Sequence, residues 1–212
     1  MSVIIKIGPD GELPAEAVSK IAGAISACRI VAFPTDTVYG LGSTGLVRAA
    51  MRKIYQLKGR SDTKPLPILV HSREAAKRWV QWTPAAEALS RKYWPGALTL
   101  VLRPTQDGRL LKFAEYPTVA IRVPKHGALL RLIEASGVPW ASTSANFSDS
   151  PALRDGQAVA RQFAGLVDFI IDGGEVAGTE STVVDATDVP VRVLRTGAIS
   201  PEDVAAAARQ AA

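Results

Sequence analysis

Cysteine is nearly absent from the sequence. Cys28 is the single cysteine among 212 residues, which excludes an intrachain disulfide and a cysteine metal cluster and favours a reducing compartment. No apolar run approaches the length of a membrane span, and the N-terminus lacks the charged-then-apolar pattern of a signal peptide. We therefore expect a soluble, cytoplasmic protein without a membrane partner.

Histidine is also scarce, and basic residues outnumber acidic ones. The two histidines, His71 and His126, lack the partner pattern of a catalytic triad, so each is expected to be a core or surface residue. Lys and Arg total 25 against 20 for Asp and Glu, which gives a formal net charge of +5. This excess favours polyanionic partners without identifying one of them.

Short β-branched runs alternate with segments of helical period, without internal repeats, which predicts the α/β class. With 47% hydrophobic residues, the chain has enough apolar side chains for one domain spanning residues 1–212. Because several strands after residue 169 follow one another without a helix, we expect a twisted mixed sheet flanked by helices. The predicted strands are 3–7, 30–33, 67–70, 98–102, 119–123, 138–141, 168–171, 181–185 and 191–194. The predicted helices are 14–27, 46–57, 73–80, 84–93, 128–135, 157–163 and 201–208.

Small hydrogen-bonding side chains follow two of the predicted strands. Residues 142–146, Ser-Thr-Ser-Ala-Asn, come after strand 138–141, and segment 34–42 comes after strand 30–33. In open α/β sheets, ligands bind in the crevice outside such strand ends. We therefore expect these hydroxyl and amide groups to meet at a ligand site.

Three cations, Lys58, Arg60 and Lys64, lie in one short segment before strand 67–70. A cation at a helix C-terminus complements the helix dipole, and that role alone would explain Lys58. It explains Arg60 and Lys64 less well, because Gly59 interrupts the predicted helical segment before them. Neighbouring cations repel one another by about 1 kcal/mol per pair unless an anion separates them. A polyphosphate is the expected anion.

Thr35 and Thr37 are spaced by two residues, so an extended backbone would present both hydroxyls on one side and Asp36 on the other. The alternative is a Ser/Thr-type turn that satisfies its own backbone. Gly40 and Gly42 permit tight backbone nearby, but they fit neither a phosphate-binding P-loop nor a dinucleotide fingerprint. Both interpretations of the two threonines stay open.

Arg122 lies inside the apolar strand 119–123, where a charged side chain needs a partner or a ligand. One interpretation is a salt bridge to an unidentified carboxylate. The other is a bidentate grip on a substrate carboxylate. Ser181 at the start of one strand and Arg195 at the end of another repeat the pattern of polar residues at strand ends.

Seven segments, taken in order and spacing, resemble the YrdC-like family of threonylcarbamoyl-AMP synthases. They are 34–42 (PTDTVYGLG), 58–60 with 64–66 (KGR and KPL), 94–99 (WPGALT), 119–124 (VAIRVP), 142–146 (STSAN), 180–182 (EST) and 194–197 (LRTG). The resemblance spans nearly the whole chain and is to the short, single-domain TsaC type. It implies a YrdC-type twisted mixed sheet with a cationic concave cleft.

The resemblance also implies an activity. The family's enzymes are L-threonylcarbamoyladenylate synthases, nucleotidyltransferases that condense L-threonine, bicarbonate and ATP into threonylcarbamoyl-AMP and pyrophosphate. A separate transferase complex then moves the threonylcarbamoyl group to an adenosine of tRNA. Mg²⁺ is expected to accompany ATP, held mostly by phosphate oxygens and water, so no metal site made of protein side chains is expected.

Site residues are implied in the same way. The threonine-binding residues are expected to be Thr37, Arg122, Ser142 and Ser181. The nucleotide-binding residues are expected to be Lys58, Arg60, Lys64, Thr118, Ser144, Asn146 and Arg195, of which Lys58, Arg60, Ser144 and Asn146 are also expected to be catalytic. The chain departs from the family at Ser61, where proline is common, and at Ala152, which lacks the hydroxyl of the family's serine.

Two other classes stay open. The first is a basic RNA-binding module that holds double-stranded RNA or a ribosomal precursor without turnover, although no Lys/Arg-rich run or exposed aromatic pattern supports it. The second is a carbamoyl-transfer domain like those within hydrogenase-maturation proteins. That form is part of a much longer chain with zinc-finger-like and acylphosphatase-like parts, which do not occur in this sequence.

Overall fold

Ten strands form one sheet in the part of the chain that the structure describes. The computed structural model describes residues 1–59, 65–111, 116–148 and 150–209. The strands are β1 (Val3–Lys6), β2 (Val31–Phe33), β3 (Gly40–Thr44), β4 (Ile68–Leu69), β5 (Leu98–Leu102), β6 (Val119–Arg122), β7 (Trp140–Ser144), β8 (Phe169–Asp172), β9 (Thr182–Asp185) and β10 (Arg192–Arg195). Their order across the sheet is β1-β8-β2-β3-β7-β4-β6-β5-β9-β10.

Helices flank this sheet, and their positions confirm the prediction from apolar periodicity. They are α1 (Ala15–Ser26), α2 (Arg48–Lys58), α3 (Arg73–Trp79), α4 (Pro84–Tyr93), α5 (Gly127–Ser136), α6 (Gly156–Phe163) and α7 (Pro201–Arg209), with a 3-10 turn at Asp107–Leu110. Each helix begins and ends within two residues of its predicted bounds. No helix among the described residues is long and apolar enough to cross a membrane.

The sheet is mixed, as predicted. β1 and β2 run parallel to β8, β4 runs parallel to β6, and β5 runs parallel to β9. The other neighbouring pairs are antiparallel, including β3 with β7 and β9 with β10. The predicted extent of the domain, residues 1–212, stays a prediction.

The two faces of the sheet are covered differently. Helices α2, α3, α4, α6 and α7 pack on one face, where Ile54, Leu89 and Phe163 belong to the larger apolar cluster. On the other face, α1 and α5 pack against β2, β8 and β7, and Phe33 and Trp140 belong to that smaller cluster. Elsewhere on this second face, β5 and β6 carry the buried polar side chains of Thr99 and Arg122.

One strand was missed by the sequence prediction, and one was placed too early. The segment 34–42 was predicted as a loop, yet Gly40–Thr44 forms β3 and pairs with β7 over five residues. The strand predicted at 138–141 is observed at Trp140–Ser144. Glycine and hydroxyl residues carry little β-propensity by themselves, so the pairing of these two strands with each other, not local preference, decides their extent.

The glycines of β3 have a packing role. A side-chain carbon placed on Gly40 or on Gly42 would lie 2.8 Å from the ring of Phe33. The aromatic ring therefore covers the backbone of β3 at both positions, on the same face as the α1 and α5 packing. Residues without a side chain are required there because the ring occupies the space that Cβ would need.

Candidate functional site

A cavity of about 370 Å³ lies on the second face of the sheet. Alternate residues of a strand point to the same face, so Thr99 and Val101 of β5, Ala120 of β6 and Ser142 of β7 all reach it. The cavity extends over the strands as well as beyond their ends, where the sequence placed the site. The other lining residues include Phe33, Thr35, Thr37, Gly40, Leu69, Arg122, Ser144, Glu180, Ser181, Val183, Leu194 and Arg195.

Arg122 is buried on the wall of this cavity and has three partners. Its Nη2 atom lies 2.7 Å from Asp36 Oδ1, its Nε atom donates to the Gly96 carbonyl over 2.9 Å, and its Nη1 atom donates to Thr37 Oγ1 over 3.1 Å. The salt-bridge interpretation of Arg122 is therefore observed. Of the five guanidinium N–H groups, two have no partner among the described residues, and these can bind a ligand carboxylate.

Burial destabilises the positive charge of Arg122, and the neighbouring carboxylate of Asp36 stabilises it. Burial lowers the pKa of Arg122 from its ordinary value, and the carboxylate of Asp36 opposes that change. The positive charge of Arg195 also lowers it, which indicates that the two guanidinium groups influence the same region. An anionic ligand group near Arg122 would reduce this repulsion.

The two threonines of segment 34–42 have different surroundings. Thr35 Oγ1 accepts hydrogen bonds from the backbone N–H groups of Thr37 and Val38, at 3.0 and 3.2 Å, so the turn interpretation holds for Thr35. Thr37 Oγ1 lies 2.9 Å from Thr35 Oγ1 and accepts from Arg122. Both hydroxyl groups line the cavity.

A second hydroxyl cluster includes Ser181. Its Oγ atom lies 2.9 Å from Thr99 Oγ1, and Arg195 Nη2 donates to it over 3.2 Å. Arg195 Nη2 also donates to the Ser181 carbonyl over 2.9 Å, while Nη1 lies 3.0 Å from Glu180 Oε2. Thr99 was not predicted as a site residue. The signal for it was a single hydroxyl in the leucine-rich strand Leu98–Leu102, at a position facing the cavity.

Ser142 offers a free hydroxyl to the cavity. The residue is buried within β7, and its backbone N–H donates to the Pro67 carbonyl over 2.8 Å. Among the residues that the structure describes, its Oγ atom has no hydrogen-bond partner, although it lines the cavity. This hydroxyl can therefore donate to, or accept from, a polar group of a ligand in the cavity.

Lys58 is buried and holds the end of β7. Its Nζ atom donates to the Ser144 carbonyl and to Asn146 Oδ1, each over 2.7 Å, and to Thr143 Oγ1 over 3.2 Å. Ser144 Oγ also donates to Asn146 Oδ1 over 2.7 Å. Lys58 is the last residue of α2, and Gly59 caps the helix with a φ of 60°, in the left-handed region that glycine adopts readily. Lys58 therefore connects the end of α2 to the segment after β7.

Several predicted nucleotide residues are not brought into the cavity by the described structure. Arg60 and Lys64, together with Ser61, lie outside the described residues. Thr118 is half-buried just before β6 and is not a lining residue, and neither is Asn146. Within the described ranges, no group of three or more His, Cys, Asp and Glu side chains could hold a metal ion.

These features define the class of the protein: an α/β protein with a mixed sheet and a polar ligand cavity on one face. Its described charged groups are two arginines, each paired with one carboxylate, and its other polar groups are mostly hydroxyls. Such a cavity fits a small ligand that carries both a carboxylate and hydrogen-bonding groups. Apolar residues beside the hydroxyls, such as Leu69 and Val101, can contact its carbon atoms.

Comparison with known proteins identifies the family. A family profile of Sua5, YciO and YrdC proteins, described as "Telomere recombination", matches residues 24–197. The chain belongs to this family. It is 42% identical over 86% of its length to a threonylcarbamoyl-AMP synthase of Pyrococcus abyssi, and 40% identical over 89% of its length to one of Bacillus subtilis. It spans 54% and 56% of the lengths of these two relatives, which is little more than half of each.

A solved structure shares the fold. The crystal structure of P. abyssi Sua5 complexed with L-threonine superposes on this chain with a TM-score of 0.87 at 37% identity. The match covers 98% of this chain and 60% of the Sua5 chain. The α/β fold with a twisted mixed sheet, expected from the sequence, is thus confirmed.

Proposed function

We propose that this protein is an L-threonylcarbamoyladenylate synthase, a nucleotidyltransferase that condenses L-threonine, bicarbonate and ATP into threonylcarbamoyl-AMP and pyrophosphate. The observation that carries the proposal is the meeting of Thr37, Arg122, Ser142 and Ser181 at one cavity. These are the four residues that the family resemblance assigned to threonine. The relatives named as threonylcarbamoyl-AMP synthases give further support.

In the proposed complex, the threonine carboxylate accepts hydrogen bonds from the two N–H groups of Arg122 that have no partner among the described residues. The free Ser142 hydroxyl and the Thr99 and Ser181 pair supply hydrogen bonds to the other polar groups of the amino acid. The apolar side chain of Val101 contacts its methyl group. A buried site of this kind discriminates strongly, because a ligand that lacks one polar group leaves a buried partner unsatisfied.

ATP would lie beside the threonine. We propose that Arg60, Lys64 and Arg195 neutralise its phosphates, and that Thr118, Ser144 and Asn146 contact the nucleotide. Lys58 acts mainly by holding Ser144 and Asn146, since its Nζ atom already has several partners within the described structure. Mg²⁺ bound to the phosphates would screen their charge, with phosphate oxygens and water as its ligands.

The reaction needs no protein nucleophile. The amine of threonine attacks bicarbonate to form an N-carboxylate with loss of water, and one oxygen of the N-carboxylate attacks the α-phosphorus of ATP. A bond between that oxygen and phosphorus forms as the bond from phosphorus to the pyrophosphate oxygen breaks. The protein aligns two anions and reduces their repulsion, which is the work that arginines and hydroxyl groups can do.

The product would be consumed by a separate transferase complex that modifies tRNA, and we keep that complex as the proposed downstream partner. Direct RNA binding without turnover is not favoured, because the relatives reported above are named as synthases. A cytoplasmic location is part of the same proposal, since tRNA modification enzymes are typically cytosolic.

Pyrophosphate release tests the proposal. With carbon dioxide stripped from the buffer, pyrophosphate is expected only when threonine, bicarbonate, ATP and Mg²⁺ are all present, and label from bicarbonate should enter an adenylate. An ATPase would instead release orthophosphate without threonine, and an RNA-binding module would release nothing. Pyrophosphate release that continues unchanged without threonine would contradict the mechanism.

A further inference from the structure

Thr182, the first residue of β9, follows Glu180 and Ser181 in the chain but does not belong to the ligand cavity. Ser181 and Val183 line the cavity and Thr182 does not, because successive residues of a strand point to opposite faces of the sheet. Thr182 is fully buried. A hydroxyl group buried in this way needs hydrogen-bond partners within the protein.

The segment after β10 supplies every partner of the Thr182 hydroxyl. Its Oγ1 atom donates to the Ile199 carbonyl over 2.7 Å. It accepts from the backbone N–H groups of Gly197 and Ile199 over 2.9 and 3.0 Å. A hydroxyl has one hydrogen and two acceptor sites, so this set is complete. The N–H group between them, that of Ala198, donates to the Glu180 carbonyl over 3.0 Å.

The same segment lies directly on the residues before Thr182. A side-chain carbon on Gly197 would lie 2.1 Å from the Glu180 carbonyl oxygen and 2.7 Å from that of Ser181, so only glycine allows this approach. These two residues also hold the Arg195 side chain. Arg195 Nη2 donates to the Ser181 carbonyl over 2.9 Å, and Nη1 donates to Glu180 Oε2 over 3.0 Å. The backbone that follows Arg195 is therefore anchored beside the groups that its guanidinium contacts.

A β-bulge lies just before this anchored segment. The register of β10 against β9 shifts by one residue between Val193 and Arg195. As a result, the consecutive residues Leu194 and Arg195 both line the cavity, which a regular strand would not allow. A bulge disrupts the hydrogen-bond ladder locally, so the backbone there needs another support. The Thr182 hydroxyl provides support immediately after Arg195.

We propose that Thr182 is a positioning residue for Arg195: its hydroxyl fixes the backbone after the bulge and so holds the guanidinium toward the cavity before ATP binds. The inference rests on the proposed function, in which Arg195 neutralises the ATP phosphates, and adds to it the residue that preorganises this arginine. Thr182 itself contacts no substrate. Without its hydroxyl, ATP would have to order the Arg195 side chain on binding, and that cost lowers the affinity.

Calorimetric titration of the whole protein with ATP and Mg²⁺ tests the proposal. L-threonine is present and carbon dioxide is stripped from the buffer, so that ATP binds without turnover. One variant is Thr182→Val, which keeps the branched shape of the side chain. The other two are Thr182→Ser and Thr182→Cys, which have similar shapes but a strong and a weak hydrogen-bonding group. Each variant is also made in an Arg195→Ala background.

Ser200→Ala is the matched control for a general loosening of this part of the chain. Ser200 Oγ accepts from the Asp203 N–H over 3.1 Å at the start of α7, and Ser200 does not line the cavity. Its loss should lower the melting temperature, as the loss of a helix cap does. The affinity for ATP should stay that of the wild type, because Arg195 and its contacts are unchanged.

Thr182→Val is expected to weaken ATP binding by about 3- to 10-fold, the range for ordering one flexible side chain on binding. Thr182→Ser should bind ATP like the wild type, and Thr182→Cys should have an affinity between those of the serine and valine variants. In the Arg195→Ala background, Thr182→Val should weaken ATP binding no further, because its effect passes through the guanidinium.

Four results would overturn the inference. The positioning role fails if Thr182→Val, or Thr182→Cys where the valine variant does not fold, binds ATP as Thr182→Ser does. It fails if Thr182→Val weakens ATP binding equally with and without the Arg195 guanidinium, or if Ser200→Ala weakens it as much. It also fails if the wild type does not bind ATP. A wild type that binds ATP but releases no pyrophosphate with all substrates rejects the proposed function instead, and the same titrations still decide the role of Thr182.

Discussion

Asp36 and Arg122 form a buried ion pair with 2.7 Å between Oδ1 and Nη2, on the wall of the ligand cavity. Their side chains are 15% and 8% exposed. Asp36 Oδ1 also accepts the backbone N–H of Lys125 over 2.9 Å, so this carboxylate joins segment 34–42 to the end of β6. The pair therefore supports the fold in addition to orienting a guanidinium toward the ligand.

Removing the carboxylate of Asp36 should lower the stability of the fold. In Asp36→Ala, the charge of Arg122 stays buried without its partner, and we expect the free energy of unfolding to fall by about 3–5 kcal/mol. Asp188→Ala is the control, because the Arg103–Asp188 pair is exposed and should contribute at most about 1 kcal/mol. Urea denaturation measures both values. Equal losses in the two variants would show that burial does not strengthen the first pair.

The contact between Phe33 and β3 can be tested with alanine. A Cβ at Gly42 would lie 2.8 Å from the Phe33 ring and 3.1 Å from the Ala141 carbonyl, so Gly42→Ala is expected to lower stability by about 1–3 kcal/mol. The control is Gly23→Ala within α1, where no atom beyond the adjoining residues and the backbone of the helix itself lies within 4 Å of the added carbon. That change should raise stability by about 0.5–1 kcal/mol.

Thermal unfolding followed by circular dichroism compares these two glycine variants. The second-site change Phe33→Leu should recover part of the loss in Gly42→Ala, because the smaller side chain leaves room for the added methyl group. If Phe33→Leu lowers the stability of Gly42→Ala as much as it lowers that of the wild type, the ring is not what requires glycine.

Arg60 is predicted to bind the ATP phosphates, although it lies outside the described residues. Arg60→Ala should raise the KM for ATP by about 10- to 100-fold, the range of a lost charge-assisted hydrogen bond, with little change in melting temperature. Arg52→Ala removes an exposed cation of α2 and should leave the KM unchanged. Normal ATP turnover by a folded Arg60→Ala protein would reject this role.

Acid should weaken the fold in part through Glu87. Hydrogen bonds from Trp82 and then from Arg73 lower the pKa of Glu87 from 4.5 to about 2. Because the folded pKa lies below the unfolded one, this carboxylate stabilises the protein above about pH 4.5, and the contribution is lost as pH falls toward 2. Glu87→Gln should therefore be less stable at pH 7 and lose less stability between pH 4.5 and 2.

Denaturant unfolding at pH 7, 4.5 and 2.5 measures this difference. Glu134→Gln, which changes an exposed carboxylate on α5, is the matched control and should follow the wild type at every pH. If Glu87→Gln loses as much stability in acid as the wild type does, Glu87 is not one of the groups that cause the loss.

The helices were predictable because each carries its own apolar period. Ile21 and Ile25 of α1, for example, repeat at helical spacing and are fully buried. A pattern of this kind is local, since the side chains that face the core lie three or four residues apart in the chain. The mixed character of the sheet was predictable for a similar reason, because consecutive strands without a helix between them cannot all be parallel.

Strands without such a pattern were not predictable. β3 contains two glycines and two hydroxyl residues, and nothing in its own composition predicts a strand. Its partner β7 ends in Ser142, Thr143 and Ser144, which were predicted as a loop. Each strand satisfies the backbone groups of the other, so their extent depends on a pairing between segments about 100 residues apart in the chain.

The sequence alone indicated that Arg122 and the hydroxyl groups after residue 141 need partners, because a buried strand that contains an arginine, or ends in hydroxyl groups, leaves polar groups to satisfy, but it gave no such indication for Thr99. It did not determine the partners. Whether Arg122 meets Asp36 or only a ligand, and whether Lys58 is free or bound to Ser144 and Asn146, depends on which strands are neighbours in the sheet. Those distances are set by packing between distant segments, so only the tertiary structure decided them.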